Sequence, residues 1–141
     1  MIPKGRVLGL DLGSKRIGVA VTDADHKVAT GVKTVARSGD TALDHRTLAA
    51  LVDEWGAVGV VVGVPISLSG EMGPAAQAVL DEVTALRSRL DVEVDIVDER
   101  LTTVVASASL RSTGRSSRQQ RAVIDQAAAA TLLQTWAERR R

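Results

Sequence analysis

Residues 6–23 read RVLGLDLGSKRIGVAVTD. Two runs of valine, leucine and isoleucine flank a short polar turn, which predicts a β-hairpin with strands over 5–12 and 16–23 and a turn at 13–15. The first strand delivers a carboxylate, Asp11, to the mouth of that hairpin. A third apolar run over 28–36 extends it into a meander. A helix opens at Asp40 or Thr41 and runs to Trp55, before AVGVVVG (57–63), an uninterrupted apolar run typical of a buried parallel strand. A loop rich in Pro, Ser and Gly leads to a helix over 75–90 and a strand over 92–98. Strand, helix, strand, helix, strand predicts an α/β fold with right-handed crossovers. A short helix over 103–112, the polar segment RSTGRSSRQQR (111–121) and a last helix over 118–138 complete the reading.

With 141 residues and 45% hydrophobic content, the chain is sized for one domain, residues 1–141, around one core. It holds no apolar run of about 18 residues, and its N-terminus lacks the pattern of a secretion signal. The expectation is a cytoplasmic protein with no membrane partner. Absence of cysteine excludes disulfides, thiolate metal sites and cysteine nucleophiles, and two histidines, His26 and His45, are too few for a histidine-based centre. Any metal must be held by oxygen. The net charge of +1 hides an uneven distribution: +4 over residues 1–39, −9 over 40–99 and +6 over 100–141. If the chain ends meet around the acids, a basic surface surrounds a small anionic centre, which suits a polyanion such as nucleic acid.

Three acids stand in apolar settings. Asp11 nears the end of the first strand, Glu99 closes VEVDIVDER (92–100), and Asp125 shares a helical stripe with Ala128, Ala129, Leu132 and Trp136. A carboxylate withdrawn from water costs several kcal/mol unless it is paired, protonated or metal-bound. For any one of them an arginine partner or a helix cap is as good a reading as a ligand role. Asp11 and Glu99 stand at carboxyl ends of strands that can run parallel, where the crevice of an open α/β sheet forms, and Asp125 can project toward the same edge. Carboxylates gathered there are suited to one or two Mg2+ or Mn2+ ions. Lys15, Arg16 and Arg100 lie near this mouth as candidate phosphate contacts, with Lys15 and Arg16 reading equally well as solvated hairpin residues, and Arg111, Arg115, Arg118 and Arg121 supply a second basic segment, or a plain flexible linker, leading into the Asp125 helix. Asp98 should face the other side of its strand, Thr102 should cap a helix, Ala128 should act as a spacer under the last helix, and Gln134 should face solvent. Trp55 and Trp136 are the only aromatics among Phe, Tyr and Trp, so base stacking is poorly supplied.

DLGSKRIGVAVTD (11–23), the GVP of VVVGVP (60–65), DERLTT (98–103) and AVIDQAAAATLLQ (122–134), in this order, resemble the YqgF or RuvX family of Holliday junction resolvases and pre-16S rRNA nucleases. The resemblance spans nearly the whole chain. It implies an RNase H-like fold with a five-stranded mixed sheet flanked by helices, and Asp11, Glu99 and Asp125 as metal-binding catalytic acids of a phosphodiester hydrolase. The related RuvC resolvases carry a further aspartate near the place of Ala128. Substrate stays open between an rRNA precursor, which a monomer can trim, and a four-way DNA junction, which calls for a C2 homodimer. An actin-like ATPase hairpin also suits residues 11–23, but no second lobe remains to close on a nucleotide. A nucleic-acid-binding module without turnover is the third reading.

Overall fold

The computed structural model describes residues 2–67, 69–101 and 117–140. Strands β1 (Val7–Leu12) and β2 (Arg16–Thr22) pair antiparallel, with Leu8 opposite Val21 and Asp11 opposite Gly18, and β3 (Ala29–Ala36) adds to the outer edge of β2. Helix α1 (Thr41–Trp55) starts where Asp40 accepts hydrogen bonds from the amides of Ala42 and Leu43, and it ends at Gly56, whose φ of 61° is the left-handed cap that glycine adopts without strain. The chain returns as β4 (Gly59–Val64), buried at every position, parallel to β1. Pro74 opens α2 (Pro74–Arg89), where its missing amide costs nothing. Strand β5 (Glu93–Asp98) lies parallel to β4 and runs into a 3-10 turn, Glu99–Leu101. Helix α3 spans Ser117–Arg139.

The sheet order is β3-β2-β1-β4-β5, a five-stranded mixed sheet as expected. Helices α1 and α2 cover one face, burying Leu8, Leu10, Ile17, Val19, Val60 and Val62 with Leu48, Leu51, Val83 and Leu86. Among the described residues, helix α3 covers the other, packing Ala129, Leu132, Leu133 and Trp136 on Val7, Ala20, Val61 and Val97. The period of two along each strand thus decides which helices a residue meets. The predicted helix over 103–112, the Thr102 cap, Arg111 and Arg115 lie outside the described residues. No described helix is long and apolar enough to cross a membrane.

Candidate active site

Asp11 alternates with Val7 and Gly9 onto the α3 face of β1. Glu99 follows β5 on the same side, and β4 lies between the two strands. A span of two strand spacings, roughly 10 Å, separates neighbours-but-one in a sheet, so the two carboxylates meet only if nothing rises from β4 between them. Gly63 supplies that clearance: a Cβ there would lie 2.8 Å from Glu99 Oε1 and 2.9 Å from Leu132 Cδ2. Glu99 crosses Gly63 and donates a hydrogen bond to Asp11.

Gly18, paired with Asp11 across the hairpin, does the same on the other side. A Cβ at Gly18 would overlap the Asp125 carbonyl oxygen, so α3 lies with its backbone directly on β2. Gly9 and Gly31 repeat the arrangement, with would-be Cβ atoms 2.8 Å from Leu133 Cβ and from Gln126 Cβ. Close approach of α3 therefore rests chiefly on glycines of the sheet. On the helix itself the fully buried alanine is Ala129, whereas Ala128, the expected spacer, is partly exposed. Gln134 also departs from expectation: it accepts from the Ala29 amide and donates to the Lys27 carbonyl, both at 2.9 Å, and so ties α3 to β3 instead of facing solvent.

Electrostatics follow from this crowding. Burial, then the charge of Asp11 and the proton Glu99 donates to it, push the Glu99 carboxyl up from 4.5 to about 7. Burial, then the nearby charge of Asp125, raises Asp11 as well. Asp125 accepts a 2.6 Å hydrogen bond from Arg16 Nε, and their side chains are 18% and 33% exposed. Among the described residues, no three acidic or histidine side chains already close into an ion-binding group. Two carboxylates share a proton and the third is held by a guanidinium, each a substitute for positive charge. The donor set is all oxygen, from two mutually repelling acids and a third within Coulombic reach. That chemistry fits a hard divalent cation and no soft one.

The basic candidates divide. Arg16 reaches the acids, and Lys15 is exposed at the hairpin turn. Arg100 folds back on Asp98, donating to it from Nε and Nη2 at 2.8 and 2.6 Å, and this pairing holds Asp98 below the usual carboxylate range. Asp98 is thus engaged by Arg100, and its charge adds to the upward push on the Glu99 carboxyl. Arg118 and Arg121 lie in the first turns of α3, and Arg121 is exposed.

Two supports escaped the sequence reading. One is the pair Gly18 and Gly63; their signal was glycine inside apolar strands, a place where it weakens the strand unless another group needs the space. The other is Arg37. It donates to the Gly13 carbonyl at 3.0 Å and bidentately to Glu82 at 2.7 and 2.8 Å, while Glu82 also accepts from the buried His45 at 2.7 Å. The turn that follows Asp11 is thereby clamped to α1 and α2.

Comparison with known proteins identifies the family. The RuvX family model, described as Holliday junction resolvase, matches residues 5–139. A Rhodococcus opacus (strain B4) protein named "Putative pre-16S rRNA nuclease" is 49% identical over 141 residues, covering 97% of this chain and 79% of that one. A protein of the same name from Mycolicibacterium paratuberculosis is 51% identical over 140 residues, covering 98% and 83%. Among solved structures, T. thermophilus RuvC in complex with a Holliday junction substrate superposes with a TM-score of 0.58 over 96% of this chain and 95% of that one. At 14% identity, that likeness is one of fold.

Proposed function

The chain belongs to the RuvX family of Holliday junction resolvases, and from that membership and the site together we propose that it is a metal-dependent nuclease hydrolysing phosphodiester bonds in structured nucleic acid. The substrate we propose is the 5′ end of pre-16S rRNA, the specificity named for relatives at about half identity. One observation supports the reading: on the glycine-cleared face of the sheet Glu99 and Asp11 share a hydrogen bond, and the charge of Asp125, from a third segment, reaches Asp11.

Asp11, Glu99 and Asp125 would hold Mg2+ or Mn2+, as one ion or two. Bound there, the metal supplies an activated water and charge stabilisation for the leaving oxygen. Asp11 is central, since Glu99 and Asp125 both act on its carboxyl, and it would be a ligand common to the site. Glu99, with a carboxyl that titrates at about 7, releases its proton to neutral solution at little cost. Arg37 keeps the turn after Asp11 fixed while charge changes around it. No protein nucleophile is needed.

Asp11→Asn, Glu99→Gln and Asp125→Asn should each abolish cleavage of a labelled pre-16S 5′-leader RNA in Mg2+ or Mn2+, with circular dichroism unchanged. Full activity in any one removes that residue from the site. The second reading, resolution of a four-way DNA junction by a homodimer, has the family description in its favour. Cleavage of the junction but not the RNA, with sedimentation as a dimer on the junction, would select it.

A further inference from the structure

Arg16 opens β2 at the base of the hairpin that carries Asp11, and it faces two ways. Its Nε holds Asp125 at 2.6 Å. The same side chain lines a cavity of about 340 Å³ with Thr34, Ala36, Arg121 and Ala122, in the seam between β3 and the start of α3. The seam is built: the Thr34 hydroxyl donates to the Ala122 carbonyl at 2.8 Å, and Gln126 donates to Thr34 at 3.3 Å. Two arginines line it, and no acid does among the described residues.

Resting on the nuclease reading of the three acids, we propose that this cavity is a subsite for a backbone phosphate of the nucleic acid. Arg16 is shared between that phosphate and Asp125. A divalent cation on Asp125 competes with the guanidinium, because the doubly charged ion approaches carboxylate oxygen more closely than an N–H donor does. Arg16 displaced from Asp125 presents its full fork to the cavity, where Arg121 supplies a second cation for the same anion. A phosphate in the cavity draws Arg16 the same way and leaves Asp125 to the metal. Metal and nucleic acid therefore reinforce each other, and by reciprocity each strengthens the other by one common factor.

The test measures Mn2+ affinity by electron paramagnetic resonance with and without a cleavage-resistant phosphorothioate RNA, and RNA affinity with and without Mn2+. Inorganic phosphate in a parallel arm separates recognition of a free anion from recognition of the backbone. Wild-type protein should show a coupling of about tenfold, equal in both directions. Arg16→Gln should bind Mn2+ several-fold more tightly than wild type in the absence of RNA, and its coupling should fall to about one. Arg121→Ala should keep wild-type Mn2+ affinity, weaken RNA binding and lower the salt slope by about 0.7 to 0.9 log units. Unchanged or weaker Mn2+ binding in Arg16→Gln would show a salt bridge that merely holds Asp125 in place, and it would overturn the proposal. So would coupling that survives in that variant. Failure of wild-type protein to bind Mn2+ at all is a different result, and it would defeat the nuclease reading beneath.

Discussion

On the face of the sheet that meets α1 and α2, the inward positions of β1, β2 and β4 are Leu8, Leu10, Ile17, Val19, Val60 and Val62. On the face that meets α3, the same three strands contribute Gly9, Gly18 and Gly63, with Gly31 beside them on β3. One face is filled with side-chain volume and the other is partly emptied of it. What enters the emptied space is backbone and carboxylate: the Asp125 turn of α3 over Gly18, and Glu99 over Gly63. The filled face stabilises the sheet, and the emptied one lets charged groups from distant segments converge at a cost that the filled face offsets.

That contrast breaks most sharply at Gly18 and Leu10. Alanine at Gly18 meets helix backbone, which cannot rotate aside, so α3 must move. We expect Mn2+ affinity to fall by about a hundredfold and cleavage with it, because misplaced support of a metal site is that costly. Leu10→Ala, on the filled face, should lower stability by about 2 to 5 kcal/mol while folded protein keeps its Mn2+ affinity. Calorimetric titration beside urea unfolding separates the two. Equal losses of metal binding would show that the faces are not specialised.

Gly63→Ala should have a smaller effect. The new methyl meets the flexible end of Glu99 and a leucine tip, both of which can shift. Mn2+ binding should weaken by about tenfold with the fold retained.

These two glycines also mark where the sequence stopped being legible. The hairpin, the parallel return and the helix over 41–55 were readable because alternation, an unbroken apolar run and an Asp40 cap are local signals. Asp11 and Glu99 were readable as acids closing apolar strands. Gly18 and Gly63 sit in strands buried on both sides, where glycine among valines breaks no alternation, and their purpose depends on what crosses above them. The partner of Arg16 lies 109 residues away, so charge pattern alone gave a choice between phosphate and solvent. Arg37 was hidden for the same reason: its partners are a turn carbonyl and a glutamate on another helix.

The faces should also titrate in opposite directions. Burial and Asp11 raise Glu99 from 4.5 to about 7, so its contribution to stability is complete below about 4.5 and is lost as pH rises through about 7. Burial alone would raise Glu82, but hydrogen bonds from Arg37 and His45 outweigh it and lower its pKa. Its contribution is present above the ordinary value of 4.5 and is lost as pH falls through the lowered one. With chelator present, melting temperature should therefore decline on both sides of a maximum near pH 5. Glu99→Gln should flatten the neutral limb, Glu82→Gln the acid limb, and added Mn2+ the neutral limb alone. A neutral limb that persists in Glu99→Gln would remove that carboxyl as its source.

The smallest effect belongs to Ala128→Leu, and it fixes the register of α3. Ala129 is fully buried, its carbonyl 3.1 Å from where a Gly9 Cβ would stand, while Ala128 is partly exposed. Leucine at 129 must push the helix off the sheet or leave its rotamer, at about 1 to 3 kcal/mol, and it should carry Asp125 away from Asp11. Leucine at 128 has a route toward solvent and should change stability by less than about 0.5 kcal/mol, with Mn2+ affinity as in wild type. The two substitutions add the same atoms one residue apart, so helix propensity and hydrophobicity cancel between them. If 128 proves as damaging as 129, the helix is rotated from the position described, Gly18 no longer lies beneath Asp125, and the emptied face is not what brings the third acid to the other two.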